Sequence, residues 1–369
     1  MYCKKICIKD FRNIENEEIE FSRGVNVISG ENAEGKTNLL EAIYYVSVGK
    51  SFRATQNSEI IRFGESMAGL NLFYDDGIRE QNIKMTIYTQ KRRKAEKNGV
   101  RIDKLSDIVG AFRTVLFCPE HLSLVKDGPA ERRNYLDIAI SSARPMYLHA
   151  LQKHNHLLKQ RNALIKNAEA DRATFDMTVD LWSEKLAHEA AVIAKFRAEF
   201  IKKVDEHVRL CFRDMSKKNE ETEIRYISSS KCTPDECYDV SATEKKYFEL
   251  LTKNKEREIY AGSTLYGAHK DDMAIDLNGK AARLFASQGQ QRSLAIALKL
   301  AEGEICREEF GDYPVFLFDD VLSELDEGRR DYLINRISGK QVIMTSCDKN
   351  EISNAKIILV KGGKYYGEC

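Results

Sequence analysis

An octapeptide near the start of the chain, residues 30–37, reads GENAEGKT and matches the phosphate-loop pattern G-x-x-x-x-G-K-[ST]. An apolar run, 25–29, precedes it and a helical pattern, 38–45, follows it, which is the strand–loop–helix order that a nucleotide site requires. Because this context is present, a chance match is the weaker interpretation. The predicted nucleotide-binding residues are Gly30, Glu31, Asn32, Ala33, Glu34, Gly35, Lys36 and Thr37.

The chemistry of this loop favours ATP with Mg²⁺. Backbone N–H groups and the start of the following helix supply partial positive charge to the phosphates. We expect Lys36 to face the β- and γ-phosphates and the hydroxyl of Thr37 to contact Mg²⁺.

A long central stretch lacks the residues that break helices. Glycine is absent from 129–261 and proline from 146–233, so 88 successive residues contain neither, and we predict that they are helical. Two helices should meet near residues 167–174, where the apolar spacing lapses. A helical lobe packed on itself is favoured over an extended coiled coil, with helices of about 30 residues. One apolar stripe recurs every three or four positions, at Leu186, Ala190, Ile193, Phe196, Phe200, Val204, Val208 and Phe212.

Short runs of β-type residues alternate with helical patterns on both sides of that stretch, which indicates an α/β layer with parallel strands. These runs are 25–29, 115–117, 315–318, 342–345 and 357–360. We therefore predict an α/β domain, residues 1–128 and 262–369, that is split by a helical insertion, residues 129–261.

Two carboxylates follow one of these runs. Residues 315–318 are apolar and lead directly into Asp319 and Asp320. A strand that ends in aspartate places the carboxylate at the same sheet edge as the phosphate loop, so Asp319 is predicted to hold Mg²⁺. Asp320 is a candidate to polarise the attacking water. A surface turn is the alternative for this pair.

A polar loop, residues 286–293, precedes a strongly helical pattern, and Ser287 stands at its capping position. Alone, such a loop indicates a helix cap. Its position shortly before Asp319 also favours a second interpretation, in which the start of this helix contacts phosphate.

Overall charge excludes no partner and favours none, because 58 Lys and Arg residues oppose 57 Asp and Glu residues. The segment 91–104 holds seven basic and two acidic residues, and its central Asn98-Gly99 predicts a hairpin turn. Lys91, Arg92, Arg93 and Lys94 are candidate DNA contacts, mainly to phosphates; a solvated face is the alternative.

The nine cysteines are scattered without a CxxC pair, no run of 18 apolar residues occurs, and the N-terminus does not resemble a signal peptide. We expect reduced thiols and a cytoplasmic protein without a membrane partner.

In combination these motifs resemble the ABC-type ATPases of DNA repair, and most closely the RecF family. Further residues that carry the resemblance lie in the segments 11–13, 38–43, 49–53, 117–120, 128–137, 267–272 and 319–326. The resemblance therefore covers the whole chain. It implies the α/β fold of an ABC-type P-loop head with a short helical arm.

The resemblance also implies roles for particular residues. Arg12 and Asn13 would contact the nucleotide, Asp319 would be the Mg²⁺ carboxylate, and Asp320 stands where most relatives carry glutamate. Residues 323–326 would cross a dimer interface. The signature loop, which would cap the γ-phosphate held by the partner subunit in a two-fold dimer, corresponds to Ser287, Gln288, Gly289 and Gln290.

The function implied by the resemblance is a weak, DNA-stimulated ATPase of recombinational repair and replication. An ATP-dependent homodimer would clamp duplex DNA at the junctions of single-stranded gaps and assist RecO and RecR in loading RecA there. Hydrolysis would act as a switch that opens the clamp.

Two other classes share a phosphate loop. The nucleotide-binding subunit of a membrane transporter is disfavoured by the helical insertion and by the missing histidine after 342–346, where Thr345 or Ser346 must take the sensing position. A small-molecule kinase would have no reason to keep a signature loop.

Overall fold

A computed structural model describes residues 1–215, 220–347 and 352–367. The chain forms two compact units, one of Met1–His121 with Lys299–Cys369 and one of Leu122–Leu298. The second unit contains the predicted insertion, 129–261, and extends beyond it at both ends. The division into compact units thus places residues 262–298 with the helices.

The strands described by the structure, in chain order, are β1 (Tyr2–Phe11), β2 (Ile14–Glu20), β3 (Val25–Ser29), β4 (Met67–Asp75), β5 (Glu80–Tyr88), β6 (Lys94–Lys97), β7 (Val100–Ile102), β8 (Thr114–Phe117), β9 (Thr222–Ile227), β10 (Asp272–Leu277), β11 (Lys280–Ala281), β12 (Val315–Phe318), β13 (Val342–Ser346), β14 (Lys356–Lys361) and β15 (Lys364–Gly367).

The α-helices, over the same described ranges, are α1 (Lys36–Val48), α2 (Ser123–Lys126), α3 (Pro129–Ala143), α4 (Pro145–Lys166), α5 (Arg172–Met215), α6 (Val240–Lys253), α7 (Lys255–Ala261), α8 (Ala282–Phe285), α9 (Gln288–Phe310) and α10 (Glu327–Ile337).

The first unit contains two six-stranded sheets. One is antiparallel, in the order β2-β1-β4-β5-β6-β7. Buried residues alternate with half-buried ones along β4, because one face of the sheet covers a core. That core joins apolar residues of the sheet, such as Ile8 and Leu70, to Leu40 and Ile43 of α1.

The other sheet has the order β15-β14-β3-β13-β12-β8, and its strands are parallel except β15. The strands β12 and β13 are buried along their whole length, which is typical of central parallel strands covered on both faces. Since the carboxyl ends of parallel strands meet at one edge, β3, β12 and β13 deliver Gly30, Asp319 and Cys347 to the same edge.

In the second unit, α4 and α5 form a helical hairpin that turns between residues 166 and 172, so the predicted join near 167–174 is confirmed. The apolar stripe of α5 is buried, except that Phe196 is half-buried and meets Tyr147 edge to face. The helix packs against α4 and α6, as expected for a lobe packed on itself. At 44 residues it is longer than expected, about 66 Å.

The prediction that the whole stretch 146–233 is helical is wrong at β9, which pairs antiparallel with β10 in a sheet of order β11-β10-β9. The segment TEIRYI alternates buried and exposed residues with a period of two. The absence of glycine and proline permits a helix, but this period favours a strand.

Within the described residues, no helix combines the length and the apolar character needed to cross a membrane.

Candidate functional site

The phosphate loop connects β3 to α1 in the first unit, and two of its glycines are required by close contacts. A Cβ atom on Gly30 would lie 2.6 Å from the carbonyl oxygen of Val360. Gly35 has a φ of 111°, and a Cβ atom there would lie 2.7 Å from Oδ1 of Asn13. Both contacts are shorter than a side chain tolerates, so the backbone comes close to its neighbours where only glycine fits.

Asn13 holds the outside of the loop. Its Nδ2 donates to the carbonyl oxygen of Glu34 at 3.0 Å, and its Oδ1 accepts from Nδ2 of Asn38 at 2.8 Å. The hydroxyl of Tyr365 adds a hydrogen bond of 2.9 Å to the carbonyl oxygen of Gly35. These contacts preorganise the loop.

The side chain of Lys36, near the end of the phosphate loop, extends back to the start of the loop. Its Nζ donates to the carbonyl oxygen of Gly30 at 2.6 Å and contacts Sγ of Cys347 at 3.1 Å. The ammonium group therefore faces the interior of the loop, where an anion would be bound.

Thr37 and Asp319 meet at the strand edge, as the sequence predicts for a shared cation site. The Oγ1 of Thr37 donates to Oδ1 of Asp319 at 2.8 Å, and Oγ1 of Thr345 donates to the same oxygen at 2.9 Å. Burial raises the pKa of Asp319, although both hydrogen bonds act in the opposite direction. Hydroxyl and carboxylate oxygens are the ligands that Mg²⁺ prefers, so this pair fits that ion.

Asp320 is exposed and lies in a left-handed turn with a φ of 50°. Its N–H donates to Oγ1 of Thr345 at 2.8 Å, and its carbonyl oxygen accepts from Oγ of Ser323 at 2.9 Å. Thr345 thus contacts both aspartates and fixes the turn between them. The neighbouring Glu324 side chain lies outside the described part of the structure.

Arg12 contacts α1 rather than the loop. Its Nε and Nη2 donate to the two carboxylate oxygens of Glu41 at 2.9 and 2.7 Å, and Nη1 donates to the carbonyl oxygen of Glu59 at 2.6 Å. The guanidinium of Arg53 also binds Glu41, at 2.9 Å, and Asn38, at 2.7 Å. A nucleotide contact by Arg12 remains a prediction.

Glu41 is a residue that sequence reasoning missed. It is completely buried on α1. Burial alone would raise its pKa, but hydrogen bonds from Arg12 and Ser51 and the charge of Arg53 outweigh this effect and lower it. The signal in the sequence is a single carboxylate within the apolar run LLEAI.

Cys347 is the second residue that the sequence did not single out. It follows β13 and contacts two residues of the phosphate loop, Nζ of Lys36 at 3.1 Å and Oδ1 of Asn32 at 3.4 Å. Thr345, which with Ser346 is predicted for the sensing position, contacts the aspartates, and a sensing role of either residue remains a prediction. The side chain that reaches the loop after β13 is therefore a thiol.

The predicted signature loop lies in the second unit, at the start of α9. The N–H of Ser287 donates to Oε1 of Gln290 at 2.7 Å, and the N–H of Gln290 donates to Oγ of Ser287 at 3.3 Å. This reciprocal pair is a capping box. Ser287 and Gln288 are exposed and Gly289 is half-buried, so their contact with nucleotide remains a prediction.

The basic segment forms the predicted hairpin, since β6 pairs antiparallel with β7 and Asn98 and Gly99 have φ values of 52° and 77°. Arg93 differs from its neighbours, because its Nη1 donates to Oη of Tyr45 at 2.7 Å and to the carbonyl oxygen of Gly49. Lys91, Arg92 and Lys94 are exposed. Arg93 therefore attaches this segment to the end of α1.

The family described as RecF/RecN/SMC N terminal domain matches residues 2–361. A protein of Bacillus cereus (strain G9842) called DNA replication and repair protein RecF is 38% identical over 369 residues, with 98% of both chains covered. The chain belongs to the RecF family. Two solved structures of the recombination mediator protein RecF in the RecFOR pathway, one with ATPrS and one with ATP, match this RecF-family chain. Their TM-scores are 0.94 and 0.90 at 34% and 33% identity, with 100% of this chain and 98% and 100% of theirs covered.

These similarities confirm the predicted fold class, an ABC-type P-loop ATPase head of the SMC kind that carries a helical insertion. The relatives are named as a DNA replication and repair protein and as a recombination mediator, and one of the solved relatives is named with ATP. None of these relatives is a transporter subunit.

Proposed function

We propose that this RecF-family protein is an ATP-dependent DNA-binding protein of recombinational repair and replication, with weak ATP hydrolysis that DNA stimulates. The observation that carries the proposal is the hydrogen bond between Thr37 and Asp319, which joins the phosphate loop to a strand-end carboxylate. A solved relative named as a complex with ATP supports the choice of nucleotide.

ATP is the nucleotide, and the residues 30–37 bind its phosphates. Lys36 neutralises the β- and γ-phosphates from a position already turned into the loop. Thr37 and Asp319 would hold Mg²⁺, which supplies charge neutralisation to the phosphates when bound. Asn13 supports the loop from outside, and Arg12 lies behind it on Glu41.

In the hydrolysis step, Asp320 orients and polarises the water that attacks the γ-phosphate. Its exposed carboxylate lies one residue beyond Asp319 in a turn that Thr345 fixes. Since phosphoryl transfer depends mostly on positioning and charge stabilisation, this step requires Asp320 to hold the water in place rather than to supply covalent chemistry.

The second part of the proposal is an ATP-dependent homodimer. The exposed start of α9, with Ser287, Gln288, Gly289 and Gln290, would contact the γ-phosphate held by the partner subunit. We assign residues 1–128 and 262–369 to the ATPase head, so that it includes this loop, and 129–261 to the helical insertion.

The closed dimer would clamp duplex DNA beside single-stranded gaps, and would act in the cytoplasm with RecR and RecO to load RecA. The proposed function does not involve a membrane. Lys91, Arg92 and Lys94 are the basic residues proposed to contact DNA phosphates, with Arg93 as their attachment to α1.

DNA binding measured with and without ATP tests the proposal, together with light scattering of the same samples. We expect ATP to convert monomers into dimers, to strengthen DNA binding, and DNA to accelerate hydrolysis. If ATP binds but changes neither the oligomeric mass of the protein nor its affinity for DNA, the proposed DNA-clamping dimer is contradicted. Acceleration by DNA would also exclude the transporter and kinase alternatives.

A further inference from the structure

Phe63 is the most exposed large apolar residue of the described chain, with a relative exposure of 102%. It lies in the turn before β4, next to Gly64, whose φ is 89°. An exposed phenylalanine ring does not stabilise the folded state, because its apolar surface is not buried on folding. The exposed ring is accessible to a binding partner.

The turn that carries Phe63 is fixed by backbone hydrogen bonds. The N–H of Glu65 donates to the carbonyl oxygen of Arg62 at 3.0 Å, and the N–H of Arg62 donates to that of Asp10 at 2.9 Å. The guanidinium of Arg62 also binds Glu15 at 3.1 Å. The backbone that presents the ring is therefore preorganised.

Phe63 and the basic segment lie at the same end of the antiparallel sheet. The strand β4 begins there and β5 ends there, with Met67 opposite Tyr88. The N–H of Thr89 then donates to the carbonyl oxygen of Ser66 at 3.2 Å. Ser66 and Thr89 are therefore neighbours, and the turn at Phe63 and the basic segment both continue from this pair.

Exposed basic residues follow β5 at this end of the sheet. Residues 91–94 are all basic. In the segment 62–66, Arg62 is paired with Glu15 and Asp10, and Glu65 is acidic, so the excess positive charge lies in residues 91–94. Lys91, Arg92 and Lys94 are exposed, and Arg93 connects the second segment to α1. An aromatic ring among cations is the arrangement that binds single-stranded nucleic acid, by stacking on bases while the cations bind phosphates.

We propose that Phe63 stacks on an unpaired base of DNA whose phosphates are bound by Lys91, Arg92 and Lys94. This inference rests on the proposed DNA-binding function and assigns to Phe63 the recognition of an unpaired base. A base inside a duplex presents its face to its neighbours, so the ring gains contact where a strand is single or where a duplex ends at a gap.

A second copy of this chain is a poorer occupant of the same surface. A two-fold contact through Phe63 would bring two identical basic segments together, and like charges across an interface oppose association. A DNA strand, in contrast, supplies both an anionic backbone and a flat ring.

The test measures binding of the full chain, with ATP present, to a single strand, a gapped duplex and a blunt duplex of the same sequence. For Phe63→Ala we expect about tenfold weaker binding to the first two, since stacking contributes roughly 1–3 kcal/mol per base and about 1.4 kcal/mol is tenfold. Blunt-duplex binding should change less than about twofold. Phe63→Trp should restore binding, and Phe63→Leu should not, because leucine is apolar without a ring that stacks.

Ile78→Ala is the matched control, because Ile78 is 91% exposed in the turn at the opposite end of the same sheet. A fluorescent adenine analogue at the gap should be quenched by the wild type and not by Phe63→Ala, and thermal unfolding of the variants should match the wild type. The stacking role would be overturned if Phe63→Ala lost equal affinity for all three DNAs, or if Phe63→Leu bound as well as the wild type. It would also be overturned if Phe63→Ala changed the oligomeric mass of the protein and left its DNA binding unchanged. Absence of wild-type binding to any DNA would instead overturn the proposed function itself.

Discussion

Thr37 and Asp319 are joined by a hydrogen bond of 2.8 Å although 282 positions separate them in the chain. Thr37 lies in the first turn of α1 and Asp319 directly follows the buried strand β12, so the contact brings together the two halves of a divided unit. Thr345 contacts the same carboxylate from a third element, β13. The site therefore depends on the order of parallel strands in this sheet.

Lys36→Ala should abolish ATP binding and ATP-dependent dimerisation. The variant removes the ammonium group that lies against the carbonyl oxygen of Gly30 and that we propose to bind the phosphates. Equilibrium nucleotide binding and light scattering measure both effects. Lys185→Ala, on the exposed side of α5, is the control. Undiminished affinity for ATP in the Lys36 variant would refute the phosphate-loop assignment.

Asp320→Asn should bind ATP and dimerise but turn over at least about tenfold more slowly, because an amide polarises water less than a carboxylate. The amide keeps the shape of the exposed side chain, so the turn at Thr345 should persist. Single-turnover hydrolysis measures the rate, with Asp331→Asn on α10 as control. Wild-type turnover would exclude Asp320 as the catalytic carboxylate.

Replacement of Lys91, Arg92 and Lys94 together by glutamine should weaken binding about equally for unrelated duplexes. The slope of log affinity against log salt should become shallower by up to about 0.9 for each lost phosphate contact. An unchanged slope would mean that the segment is a solvated face.

Arg93→Ala should behave differently from its neighbours, because Arg93 is attached to Tyr45 and Gly49. We expect a loss of stability of about 1–3 kcal/mol, measured by denaturant unfolding. If the variant is as stable as the wild type but binds DNA more weakly, Arg93 contacts DNA as proposed for Lys91, Arg92 and Lys94.

Ser287→Arg should bind ATP and fail to dimerise. The added bulk lies at the start of α9, while the phosphate loop is in the other unit. A mixture with Lys36→Ala should regain partial ATPase activity, because one composite site then combines an intact loop with an intact signature segment. Heterodimers that form and stay inactive would show that both sites are needed together. Normal dimerisation by Ser287→Arg alone would leave Ser287 as a helix cap.

Glu41→Gln should destabilise the fold by about 1–3 kcal/mol at neutral pH, because Arg12 and Arg53 lose a charged acceptor. The pKa of Glu41 is lower in the folded chain than usual, so its stabilisation is complete above the ordinary carboxyl range and is lost as the pH falls through the folded pKa. Unfolding curves of both proteins should therefore converge in acid. A difference that grows as the pH falls would contradict this sign. Glu18→Gln, at an exposed pair with Lys5, is the control and should have a much smaller effect.

Local patterns along the chain determined a large part of this protein. The phosphate loop, the aspartate at the end of β12 and the hairpin at Asn98-Gly99 were predictable, since each depends on the conformational preferences of a few consecutive residues. The stripe of α5 was predictable for the same reason, because its period of three to four residues reports a single helix face.

Only the tertiary structure decided what lies beside these elements. The pairing of β9 with β10, the burial of Glu41 under two arginines, the attachment of Arg93 to α1 and the approach of Cys347 to Lys36 join positions far apart in the chain. Whether a charge is a free surface contact or a buried partner depends on which distant atoms surround it. Local sequence does not specify those atoms, whereas the packing of the folded chain does.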